Sequence, residues 1–149
     1  MKMDSVNTSF GSRVRFKDAE TIVGIARTAT PQQYHGLLKA KPDLVAIGDD
    51  KLVEHSIEYK KRYGKQKTGN LGEKVFRLVT SYKKHPQDEK PAYTFKSKSL
   101  TLDELKTKAQ EFVKAAEIAL NHKLSQQEID KVGSDKLERY ARLKSSQDV

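Results

Sequence analysis

The chain has 149 residues, of which 36% are hydrophobic, and a net charge of +9. It holds no cysteine, which excludes disulfides, thiolate metal sites and a thiol nucleophile, and no run of about 18 apolar residues, which excludes a membrane-spanning helix. An apolar share below the roughly 45% of an average globular domain predicts helices with thin apolar stripes rather than a large β core.

Residues 1–12 are polar and read as a flexible arm, with a single domain expected over 13–145 and a frayed tail at 146–149. Ser12 to Phe16 reads as a short extended piece, and Lys17 to Arg27 as a short helix weakened by Gly24. Thr30 followed by Pro31 is a helix start, a hydroxyl cap and then proline at the first helical position. That helix, through Tyr34, Leu37 and Leu38, is expected to end before Pro42, with a short turn through Leu44 and Ile47 closed by Gly48. Asp49 or Asp50 then caps a predicted helix to Tyr63, with Leu52, Val53 and Ile57 apolar.

After the polar loop Lys65–Gly69, a second predicted helix carries Leu71, Val75, Leu78, Val79 and Tyr82 at helical spacing. It ends at His85-Pro86. Tyr93 to Ser99 alternates and reads as extended, with a hairpin partner possible only at residues 13–16. Thr101-Leu-Asp-Glu104 is a capping box. It opens the longest helix, with Leu105, Ala109, Phe112, Val113, Ala116, Ala119 and Leu120 as core and Ile118 only partly covered. Ser125-Gln-Gln-Glu128 is a second capping box, and Ser134 starts a last helix through Leu137, Tyr140 and Leu143. The expected fold is mainly all-α, with about six or seven helices and at most one short hairpin or extended segment.

Charge is unevenly spread. Residues 58–99 hold twelve Lys/Arg against four acidic residues, a net of +8, while the flanking segments are nearly neutral. A field gathered in this way attracts polyanions and speeds their encounter. Within this window, Gly64 to Lys74 is a glycine-containing basic loop entering a predicted helix, where amides near Gly69 and Gly72 could meet a phosphate. It is not a nucleotide-hydrolysing P-loop, because Asn70 and Leu71 stand where that motif needs Lys and Ser/Thr. Six of the eleven Phe and Tyr residues also lie here. Tyr59, Tyr93 and Phe95 are the candidates for stacking on bases, whereas Phe76 and Tyr82 read as core.

The segment Leu124 to Tyr140 has the order helix, glycine turn, helix. Asp130 stands where a DNA-reading turn needs a small apolar residue, and the segment carries no excess of positive charge, so it reads as a helical hairpin. His35, His55, His85 and His122 are isolated and lack metal spacing. No catalytic motif is present, so no enzyme, metal or cofactor is expected. The sequence predicts a basic nucleic-acid-binding protein of low specificity, with RNA or single-stranded DNA preferred, acting in the cytoplasm and away from membranes. Lys60, Lys61, Arg62, Lys65, Lys67, Lys74, Arg77, Lys83 and Lys84 would make the phosphate contacts. The alternative is an adaptor or inhibitor, of the phage, plasmid or effector kind, that docks the same basic face on an acidic protein.

Overall fold

The computed structural model describes residues 13–16, 31–49, 51–59 and 74–147. In chain order these form β1 (Arg13–Phe16), α1 (Pro31–Val45), β2 (Val53–Tyr59), β3 (Phe76–Tyr82), β4 (Tyr93–Lys96), α2 (Glu104–Asn121), α3 (Gln126–Val132) and α4 (Leu137–Gln147). The strands make one sheet in the order β1-β2-β3-β4. β1 runs parallel to β2, and β2, β3 and β4 form an antiparallel meander. The expectation of an all-α chain with six or seven helices is therefore corrected: the described residues form an α+β fold with four helices.

Two segments expected to be helices contain β2 and β3. In β2, Val53, His55 and Ile57 are buried and alternate with half-buried Glu54, Ser56 and Glu58. In β3, buried Phe76, Leu78, Thr80 and Tyr82 alternate with half-buried Arg77, Val79 and Ser81. Both segments also place apolar residues three and four apart, so spacing alone does not separate the two structures. The β-branched and aromatic residues decide it, since they pack well on a pleated half-buried surface. Tyr93–Lys96 is extended as expected, but it pairs with β3 rather than with residues 13–16, which pair with β2.

α1 begins at Pro31 and runs through Pro42 instead of stopping before it. The turn around Pro42 continues with the Ala46 N–H donating to the Pro42 carbonyl at 3.2 Å. Gly48 closes this segment at φ +97°, where a Cβ would lie 3.0 Å from the Val53 side chain. Both capping boxes form. Thr101 N–H donates to Glu104 Oε1 at 2.8 Å, and Glu104 N–H donates back to Thr101 Oγ1 at 3.3 Å. Ser125 and Glu128 make the same exchange ahead of α3. Glu128 also accepts from Lys144 and Tyr140 on α4, at 2.7 and 2.6 Å. Those bonds, with that from the Ser125 amide, hold its carboxyl down to about 2.

The inner face of the meander packs against the apolar side of α2, where Leu105, Ala109, Phe112, Ala116 and Ala119 are buried and Ile118 is half-buried. Leu137 and Ala141 bring α4 into the same core, whereas Leu143 is 56% exposed. One fully buried polar pair crosses the sheet: His55 Nδ1 lies 2.8 Å from Thr80 Oγ1, and His55 Nε2 lies 3.1 Å from the Ile47 carbonyl. No helix among the described residues is long and apolar enough to cross a membrane. The arm at 1–12, the segment 17–30 and the basic loop with Lys60, Lys61, Arg62, Lys65, Lys67, Gly69 and Gly72 lie outside the described residues.

Candidate functional site

Strand direction decides where the described basic residues go. β2 and β3 are antiparallel, so Tyr59 and Lys74 lie at one end of the sheet. β4 returns to that end, with Lys96 opposite Val79 and Leu100 opposite Phe76. Lys83 and Lys84 follow the other end of β3, about 20 Å away along seven residues of strand. The described part of the basic window is thereby divided between the two ends of the sheet. At the far end a small cleft of about 310 Å³ sets Lys83 among two carboxylates, Glu54 and Glu89, so it is not a basic site.

The near end holds more. A cleft of about 620 Å³ lies between the end of β4, the side of α2 and the turn joining α3 to α4. Lys74, Lys96, Lys98 and Lys108 line it. Three carboxylates, Glu111, Asp130 and Asp135, line it as well, so four lysines face three acids. Glu111 accepts from Lys108 Nζ at 3.2 Å and from Ser134 Oγ at 2.5 Å, and Asp130 accepts from Gln126 Nε2 at 2.9 Å. Lys74 stands 4.0 Å from Glu104, with both side chains about half exposed, a pairing that water screens to little effect. Among the described residues, no carboxylate lies within 4 Å of Lys96 or Lys98, and both side chains are exposed. The cleft therefore carries a small net positive charge, with Lys96 and Lys98 outside ion-pair distance of any described carboxylate.

Arg77 does not join this rim. It lies across the β2–β3 register from Glu58, 3.8 Å away, with both side chains largely covered and its buried Nε without a hydrogen-bond partner among the described residues. The three stacking candidates are also occupied. Phe95 is buried and stacks on Phe112 with centroids 5.3 Å apart. Tyr93 is buried, donates to the Leu124 carbonyl at 2.8 Å, and burial pushes its phenol pKa up. Tyr59 is half-buried, meets Phe76 edge to face at 5.8 Å and donates to Gln33 Oε1 at 3.3 Å. None of these rings presents a free face at the cleft for a base. Phe76 and Tyr82 are core, as expected.

Among the described candidate residues, the structure brings Lys74 and the packed ring of Phe95 to the cleft. Lys96, Lys98, Lys108 and Gln126 were not singled out by the sequence reading. The available signal was local: Tyr-Thr-Phe-Lys-Ser-Lys at 93–98 alternates aromatic and polar residues and ends in lysines, the composition of a protected edge strand. Lys108 reaches the cleft from α2, Gln126 bonds the backbone of Thr94 in its wall, and no spacing in the chain announces either. Compared with known proteins, the chain matches no family model, no curated protein and no solved structure.

Proposed function

We propose that this chain is a non-catalytic binding protein that docks its lysine-rimmed cleft on an acidic protein partner, acting in the cytoplasm of the cell that makes or receives it. The observation that carries this reading is the rim itself. Four lysines converge on one concave surface, and two of them, Lys96 and Lys98, have no carboxylate within 4 Å among the described residues. Such a surface steers an acidic partner toward it and fixes which face docks. The serines at 97, 99 and 134 add short polar groups around the same space.

Nucleic acid is the second reading, and one feature favours it. The chain segment between Tyr59 and Lys74, whose two ends both meet the sheet at the cleft's end, carries Lys60, Lys61, Arg62, Lys65 and Lys67. Phosphate contacts alone would hold a nucleic acid there with little sequence selectivity. The preference for RNA or single strands loses its support, because Tyr59, Tyr93 and Phe95 are committed to packing.

Fluorescence anisotropy separates the readings. Labelled polyglutamate and a labelled 20-nucleotide strand are titrated with the protein at several salt concentrations. The docking reading expects tighter binding of polyglutamate at about 150 mM salt. Tighter binding of the nucleotide strand, with a log–log salt slope of roughly −4 to −5 as for about six phosphate contacts, would replace it with the nucleic-acid reading.

A further inference from the structure

The cleft has a backbone feature that a purely electrostatic surface lacks. β4 is an edge strand. In an antiparallel pair, alternate residues turn their N–H and C=O toward the neighbouring strand and away from it. Ser97 N–H donates to the Leu78 carbonyl at 2.9 Å, so residue 97 is turned inward, and Thr94 and Lys96 are turned outward. At Thr94 a single side chain takes both outward groups: Thr94 N–H donates to Gln126 Oε1 at 2.9 Å, and Gln126 Nε2 donates to the Thr94 carbonyl at 2.9 Å. The Gln126 amide thus stands where the peptide group of an adjoining strand would stand. Asp130, accepting from the same Nε2 at 2.9 Å, fixes its orientation.

Two residues further on, at Lys96, the outward N–H and C=O have no partner among the described residues, and the residue is exposed at the wall of the cleft. We propose that an extended acidic segment of the partner adds to this edge as a short strand, beginning where Gln126 leaves off and hydrogen-bonding to the backbone of Lys96. Carboxylates on the added segment meet the ammonium groups of Lys96 and Lys98 on one side, with Lys108 on the opposite wall. This proposal rests on the docking reading and specifies the conformation and charge of what docks.

A second copy of this chain does not fit the same edge. Pairing β4 with another β4 would bring Lys96 and Lys98 of two copies together, and lysine on an edge strand is a recurrent means of preventing that association. An acidic strand reverses the sign of the interaction and keeps the backbone bonds. Strand addition predicts that affinity depends on the ligand's own N–H groups as well as on its charge.

The test uses three peptides of equal length and net charge with the full chain: alternating Glu and Val, the same sequence N-methylated at every second residue, and a Glu/Gly peptide of low β propensity. Binding is read by isothermal titration, with the amide signal of Lys96 followed by nuclear magnetic resonance. The expected result is that the Glu/Val peptide binds at least tenfold tighter than the other two and shifts the Lys96 amide. Equal binding of all three peptides would overturn strand addition while leaving the acidic docking reading intact. If no peptide binds, both the strand proposal and the docking reading fail. Binding accompanied by dimerisation of the protein would show that β4 pairs with itself and would likewise overturn the proposal.

Discussion

His55 shows how one residue ties the fold to pH. Its ring is buried between Thr80 and the Ile47 carbonyl. Nε2 donates to that carbonyl, which leaves Nδ1 as the acceptor for the Thr80 hydroxyl in the neutral ring. Desolvation lowers its pKa from the ordinary 6.5, only partly opposed by the Ile47 bond. The unfolded chain therefore takes up this proton at a higher pH than the folded chain does. The stability gained from neutral His55 is complete above about 6.5 and declines as pH falls through the interval between the two pKa values. We expect the melting temperature to drop between pH 7.5 and 5.5, and His55→Gln to flatten that drop; calorimetry at both pH values checks it. Glu128 does not confuse the window, because its stabilising ionisation is lost only as pH falls below its ordinary 4.5 toward about 2. An unchanged slope in the variant would place the proton elsewhere. At this scale the caps at Thr101 and Ser125 were readable from the sequence, whereas the partners of His55 were not, since they lie 8 and 25 residues away.

Elements differ in how plainly the sequence announces them. α2 and α3 carry capping boxes and consistent apolar stripes, and both are found where expected. β2 and β3 fit two periods at once. The helical reading groups Leu78 with Val79, but the strand puts Leu78 inside with no exposure and Val79 on the opposite, half-buried face. This difference gives a direct measurement. Leu78→Ala should cost about 2–5 kcal/mol, the usual range for a fully buried leucine, and Val79→Thr should cost less than about 1 kcal/mol, as a β-branched residue on a half-covered face. Urea unfolding of the two variants reads both values, and similar losses would contradict the strand assignment. Pro42 is the opposite failure. Proline predicts a stop, yet α1 passes through it, because only one helical hydrogen bond is lost and buried Leu37 and Leu44 hold the two sides to the core.

At the scale of the whole molecule, the sequence located the excess charge but not its arrangement. A window of 42 residues is continuous in the chain, but the strand pairing folds it back on itself, and Lys74 and Lys83 part to opposite ends of β3. Lysines from β4 and α2 then complete the near end. Arg77 became part of the sheet's own ion pairing, and Phe76, Tyr82, Tyr93 and Phe95 became core. What survives is a concave basic site at one end of the sheet, with an unpaired strand edge in its wall.

The most direct test of this arrangement compares two pairs of lysines that are equal in charge and distant in space. Binding of an acidic peptide is measured for the parent chain, for Lys96→Ala with Lys98→Ala, and for Lys83→Ala with Lys84→Ala. If the cleft is the docking site, the first pair should weaken binding about tenfold, equivalent to about 1.4 kcal/mol, while the second changes it less than about twofold. Equal losses from both pairs would mean that net charge alone draws the ligand and that the cleft has no special part in holding it.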